Sequence, residues 1–277
     1  MAKLSRGTFQ LHYEESGSMG ERIALVHGDW GDHHQWDAAA ARLAGSYRVI
    51  SYDRRGHGAS PVSRETVSLA EQVSDLSELI SMVGRGPVHI VASGAGATIA
   101  LKLALLRPDQ VRSLNLHEPS LTGLLQSDPL AARPYRALRE LEASVVSRLR
   151  AGDRLGAAQE YANGAGVEPG GWAELPPECQ HAFVQAAPAT LREFEDAALS
   201  YMELTLFATY REPIVLTGGS RSSPGFALIN DHVASEFYHA LRYSFEGAGH
   251  FPHATHPEQL ARVADEFCRF ASQHPSG

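Results

Sequence analysis

Residues 88–100 read VHIVASGAGATIA, and no other stretch of the chain restricts its fold so tightly. The run VHIVA is rich in β-branched residues and too short for a helix, so it reads as a buried strand. Ser93-Gly94-Ala95-Gly96 then turns the chain sharply, with glycine available where positive φ is needed. Ala95–Leu106 continues as a helix that is apolar nearly all round and therefore has to be buried. A strand that passes straight into a buried helix belongs to a parallel sheet with helices on its faces.

The same alternation runs through most of the chain. Short apolar strands are predicted at residues 22–26, 48–52, 111–116, 213–217 and 241–245, and residues 9–15 alternate in the manner of an outer antiparallel strand. A helix over residues 67–83 places Leu69, Val73, Leu76, Ile80 and Val83 on one stripe. Residues 257–271 begin with proline, which suits the first helical position, and carry Leu260, Val263, Phe267 and Phe270 on one side. Strand and helix in alternation define an α/β fold.

Residues 119–210 break the pattern. Helix formers dominate there, interrupted by glycine- or proline-rich patches at 164–171, Pro176-Pro177 and Pro188. Inserted between consecutive parallel strands, such a segment would lie over their carboxyl ends, where open parallel sheets bind ligands. The expected organisation is a core of residues 1–118 and 211–277 with a helical cap, or lid, at 119–210. The alternative is a set of ordinary crossover helices that touch no ligand.

Charge and composition narrow the classes of function. The chain has 277 residues, enough for a large core, and a net charge of −8 with no block of lysine or arginine. This argues against nucleic acid and leaves a small-molecule substrate as the expected partner. No run approaches the roughly eighteen apolar residues of a membrane span, and MAKLSRGTFQLHYEES at the start has no apolar signal-peptide core. No membrane partner and a cytoplasmic location are therefore expected. Cys179 and Cys268 lack metal-type spacing and read as buried thiols. The sequence leaves the oligomeric state open.

Four motifs fall in order on this framework. Leu25-Val26-His27-Gly28 closes one strand, and Asp53-Arg54-Arg55-Gly56-His57-Gly58-Ala59-Ser60 follows the next as a D-x-R-G-x-G-x-S turn. Asn115-Leu116-His117-Glu118-Pro119 ends another strand, and Gly247-Ala248-Gly249-His250 follows the last. With the strand, turn and helix at 88–100, these motifs resemble the α/β-hydrolase fold superfamily with a helical cap, over nearly the whole chain. The resemblance implies a mostly parallel eight-stranded sheet flanked by helices, with no cofactor. It also implies oxyanion-binding amides near His27 and at Ala95, a catalytic histidine at His250 and, as in one branch of the family, an acid at Glu118. One element departs. The nucleophile elbow of such folds reads G-x-S-x-G, whereas Ala92-Ser93-Gly94-Ala95-Gly96 has alanine for the first glycine and glycine for the serine.

His250 is one of 14 histidines and is selected by its place in a glycine-rich loop. An imidazole near neutral pKa takes and returns a proton well when a carboxylate fixes its tautomer. His253 and His256 read as structural or exposed, and H-x-x-H-x-x-H across a proline-containing turn is not read as a metal site. After the strand at 213–217, where the family commonly carries its acid, the chain reads GGSRSSP. Glu118 is the preferred substitute because the carboxyl ends of neighbouring parallel strands converge. Asp231 is the alternative, and a purely structural Glu118 stays open.

Asp29 follows His27-Gly28 directly, where an ionised carboxylate would oppose a developing oxyanion by about 4 kcal/mol at ~4 Å and an effective dielectric of ~20. It is expected to be held protonated by burial as an acid or hydrogen-bond donor, to bind a cationic or hydroxylated group, or to turn outward. Trp30 reads as packing or as pocket lining. Ser93 neighbours the vacant position, but a one-residue slip in a sharp turn aims its hydroxyl elsewhere.

Three readings follow. In the preferred one, His250 oriented by Glu118 is a general base for lyase, cyclase or isomerase chemistry or for direct attack of water, with no covalent intermediate. In the second, the chain is a serine ester or amide hydrolase whose serine is replaced by glycine at position 94. In the third, it is a pseudoenzyme that keeps its pocket to bind a small molecule.

Overall fold

The computed structural model describes residues 2–6, 9–60, 67–84, 86–165, 171–207, 210–237 and 239–274. Its strands are β1 (Ala2–Arg6), β2 (Phe9–Ser16), β3 (Arg22–Val26), β4 (Arg48–Tyr52), β5 (Val88–Ser93), β6 (Val111–His117), β7 (Ile214–Gly219) and β8 (Leu241–Phe245). They form one sheet in the order β1-β2-β4-β3-β5-β6-β7-β8. β2 pairs antiparallel with β1 and β4, and all pairings from β4 to β8 are parallel.

Both faces of the sheet are covered, and the period of two along each strand divides the residues between them. Ala24, Val26, Ile90 and Ala92 face one hydrophobic core, and Ile23, Leu25 and Val91 face the other. On the first side lie α2 (Leu69–Val83) and α3 (Ala95–Leu106). α2 starts at a capping box, in which Ser68 and Glu71 satisfy each other's backbone N–H. On the second side lie α1 (Asp37–Leu43) and α11 (Pro257–Gln273), with Trp36 buried between them and the sheet. Phe270, expected on the buried side of the last helix, is exposed instead. The buried stripe is formed by Leu260, Ala264, Phe267 and Ala271, and Phe270 lies off it.

Between β6 and β7 the chain forms α4 (Ala132–Arg150), α5 (Arg154–Ala165), α6 (Gly171–Glu174), α7 (Pro177–Glu195) and α8 (Ala197–Ser200). Pro176-Pro177 separates two helices as expected, but Pro188 sits inside α7 without ending it. Proline there forfeits one backbone hydrogen bond, and packing of Phe183, Ala186, Ala187, Thr190 and Glu193 keeps the helix together. Part of the patch at 164–171 lies outside the described residues. α9 (Pro224–Glu236) follows β7, and the short α10 (Pro252–Thr255) precedes α11.

Periodicity misses several elements, β1, α1 and α9 among them. β1 is a polar edge strand, α1 is two turns of mostly alanine, and α9 mixes glycine and polar residues into its buried face.

Candidate active site

The ends of β3, β5, β6 and β8 converge on one buried cluster. Gly94 joins β5 to α3 with φ 54° and ψ −125°, a conformation that favours glycine. Its N–H donates to His117 O at 3.0 Å, and its carbonyl accepts from Ala97 at 3.0 Å. Gly96 is required for another reason, since a Cβ there would lie 2.4 Å from His27 O and 2.5 Å from Val26 O. The turn is thus built as a tight elbow, with α3 pressed against the end of β3.

His250 and Glu118 meet across this cluster, with Nδ1 donating to Glu118 Oε2 at 2.6 Å. Both side chains are buried. The Phe226 ring of α9 stacks on the imidazole at 4.2 Å and 11°, and Tyr161 of α5 meets it edge-on at 6.2 Å. With Nδ1 engaged, Nε2 is the nitrogen left for chemistry. Glu118 has a φ of 44°, the one non-glycine positive φ among the described residues, and such strain persists only where surrounding contacts enforce it. Its N–H donates to Thr217 O at 3.2 Å, and Oε1 accepts from Gly219 N at 2.7 Å. Burial opposes its charge, but His117, the His250 hydrogen bond and the Gly219 amide outweigh burial and hold its pKa below the usual carboxylate value. His117 itself is pushed down to about 4 by burial. Asp231 lies within α9 with its carboxylate half-exposed and paired with Arg242, so it does not join the cluster.

Asp29 enters from the loop after β3. Its Oδ2 accepts from Ala95 N at 3.3 Å and from Ser120 Oγ at 3.2 Å. The same oxygen stands 3.1 Å from the point that a Cβ on Gly94 would occupy. The carboxyl group therefore fills the space in front of the elbow, and the Ala95 amide, expected to face an oxyanion, is engaged by Asp29 instead. Burial pushes the pKa of Asp29 up, and Glu193 adds to that push. Thr190 Oγ1 of α7 donates to Asp29 O at 2.6 Å and fixes the loop from above.

A cavity of about 290 Å³ opens on Asp29, with Ser120, Glu142, Tyr161, Phe194 and Phe226 in its walls. Glu142 is likewise raised by burial, against the pull of Arg139. The same helices are tied to the core by a buried ion pair between Arg54 and Glu193. Arg54 Nη2 also donates to Gly28 O at 2.6 Å, and Gln72 Nε2 to Glu193 Oε1 at 3.1 Å. Burial works against the Glu193 charge, yet Arg54 and His57 bring its pKa down to about 2.

The remaining sequence candidates are His27, Trp30 and Ser93. His27 uses both ring nitrogens on backbone, Nδ1 donating to Gly28 O at 2.9 Å and Nε2 accepting from Arg54 N at 2.9 Å. It shapes the loop that carries Asp29. Trp30 is buried against Tyr161 and Phe183. Ser93 ends β5 in register with His117, one residue short of the elbow. Ser120, Tyr161, Glu142, Glu193 and Phe226 were not foreseen. Only Ser120, two residues after Glu118, carried a positional signal.

A sheet of this order, with an elbow after its fifth strand and a histidine in the loop after its eighth, defines the α/β-hydrolase class of fold. The model of the Alpha/beta hydrolase family matches residues 23–263, and the chain belongs to that family. It is similar to the uncharacterized hydrolase YraK of Bacillus subtilis, 35% identical over 134 residues, 46% of this chain and 49% of that protein. A putative carbamate hydrolase RutD of Variovorax paradoxus is 34% identical over 38% of this chain and 41% of its own length. A fluoroacetate dehalogenase of a Burkholderia species is 32% identical over 43% and 41%. The chain thus spans half or less of the length of these relatives. Among solved structures, a thermophilic esterase from Thermogutta terrifontis superposes with a TM-score of 0.75 at 20% identity, covering 98% of each chain. MGS-M2, an α/β hydrolase from a deep-sea metagenome, gives 0.78 at 15% identity over 97% of each. At that identity the likeness is one of fold. No helix among the described residues is long and apolar enough to cross a membrane.

Proposed function

We propose that the protein is a small-molecule enzyme that works without a hydroxyl nucleophile, with residues 119–210 as the lid over its cavity. His250, oriented by Glu118, takes a proton through Nε2, and the Asp29 carboxyl returns one to the substrate. Glu118 stabilises the imidazolium formed in the first step. Oδ2 of Asp29 accepts from the Ala95 amide and the Ser120 hydroxyl, so Oδ1 is the oxygen that carries the proton. Burial raises the pKa of Asp29, in the direction a proton donor requires. The chemistry is elimination, cyclisation or isomerisation, or hydrolysis by a water that His250 activates.

The observation that carries this reading is the Asp29 carboxyl 3.1 Å from the vacant Cβ position at Gly94, beside an intact His250–Glu118 pair. A replaced serine does not account for a carboxyl group held there by an amide and a hydroxyl. Wild-type protein should stay unlabelled by a fluorophosphonate, and any turnover found in a panel of lactones, esters and β-hydroxy carbonyl compounds should fall ~10²–10⁴-fold in His250→Ala. Stoichiometric labelling of the wild type, or full activity of His250→Ala, would overturn the proposal.

A further inference from the structure

A second cleft shares no lining residue with the active-site cavity. Among the described residues its wall carries five histidines and four carboxylates and neither lysine nor arginine, an electrostatic setting that favours a cation. At its base His33, in the 3-10 turn His33–Trp36, packs against His12 of β2 with ring centroids 4.8 Å apart. Both rings are buried. His33 Nδ1 donates to Asp53 Oδ1 at 2.6 Å, which in the neutral ring puts the lone pair on Nε2, a buried atom without a hydrogen-bond partner. A buried polar atom left unpaired is costly and calls for an explanation.

Glu14 supplies one. His12 and Glu14 are two apart on β2 and so share a face of the strand. Glu14 Oε1 lies 3.8 Å from His33 Nε2 and 3.9 Å from His12 Nε2. Ligand atoms ~2.0–2.1 Å from a tetrahedral zinc are about 3.3 Å apart, so a shift of roughly half an ångström brings Glu14 Oε1 to ligand spacing from each imidazole nitrogen. The partly exposed Glu14 side chain is free to make that shift. Asp53 behind His33 is the carboxylate that fixes tautomer and ring orientation in histidine metal sites.

We propose that His12 Nε2, His33 Nε2 and Glu14 Oε1 form a site for a zinc-class divalent cation, with Asp53 orienting His33 and water completing the coordination. Two imidazoles and one carboxylate suit zinc or cobalt better than the oxygen-seeking magnesium or calcium. The ion joins β2 to the loop after β3 and so acts as a staple. It takes no part in the proton transfers at His250.

Chelator-treated full-length protein titrated with Zn²⁺ by calorimetry, and with Co²⁺ by visible absorption, should bind one equivalent with a Kd of about 1 µM or tighter, with tetrahedral-type bands for Co²⁺. Glu14→Gln, which leaves the core intact, and His12→Gln should each weaken binding about tenfold or more, and His250→Ala should leave it unchanged. Absence of binding at 1 mM, on the order of the weakest useful affinity, would overturn the proposal. So would unchanged affinity in both β2 variants, or loss of binding in His250→Ala, which would move the ion to the Glu118–His250 pair.

Discussion

Asp29 and Gly94 are matched: Asp29 Oδ2 stands 3.1 Å from the place where a side chain on Gly94 would begin. Glycine leaves the room that the carboxyl group fills, and the backbone at φ 54° carries no Cβ penalty. The elbow keeps its shape while the group presented at its tip comes from the loop after β3.

Restoring a hydroxyl at this point should therefore fail to restore serine chemistry. In Gly94→Ser the new Cβ would lie 3.1 Å from Asp29 Oδ2, so the carboxyl group has to give by a few tenths of an ångström, and the strained backbone adds about 1–3 kcal/mol. The variant is expected to be less stable in urea and to react no faster with a fluorophosphonate than wild type. Rapid, His250-dependent labelling would favour the replaced-serine reading.

Glu118→Gln should act on kcat while leaving KM nearly unchanged, with a loss of about 10²–10⁴. Glu118 has its pKa depressed in the fold, so its contribution to stability is present above the unfolded carboxylate value and is lost as pH falls through the lower folded one. Urea titrations at several pH values should show that acid limb in wild type and a flatter one in Glu118→Gln.

The Arg54–Glu193 pair is buried on both sides and joins α7 to the turn after β4. Removing one partner leaves an uncompensated charge, so Glu193→Gln is expected to cost about 3–5 kcal/mol. Because Glu193 is held near 2, the wild-type contribution should fade as pH falls from the ordinary carboxylate value towards that figure. Chemical denaturation at neutral and acid pH checks both statements, and a loss below about 1 kcal/mol, typical of a surface pair, would show that the pair is not buried as described.

The sheet was legible because strand periodicity and strand-to-helix turns are local signals, and residues 22–26, 48–52 and 241–245 carry them without ambiguity. β1 and α1 were not, since a polar edge strand and a two-turn alanine helix have no periodic face to read. At the site, His250 and Glu118 could be placed because each follows the carboxyl end of a parallel strand, and such ends converge. Nothing in the sequence shows that the Asp29 side chain reaches the elbow, because loop side-chain direction depends on contacts such as Thr190 to Asp29 O, made 161 residues away. Glu193 and Tyr161 were hidden for the same reason. Their helices carry no spacing that points to the core residues they meet.

The protonation state of Asp29 is the most direct test. Burial raises its pKa, so the folded state favours the protonated form; that stabilisation is complete below the unfolded pKa and is lost as pH rises through the folded one. Carbon-13 carboxyl titration, with Asp29→Asn assigning the resonance, should find the Asp29 Cγ titrating at higher pH than the surface aspartates and the Glu118 Cδ at lower pH than the surface glutamates. An Asp29 signal that ionises with the surface aspartates, near the ordinary value of 3.8, would contradict its role as the acid of this site.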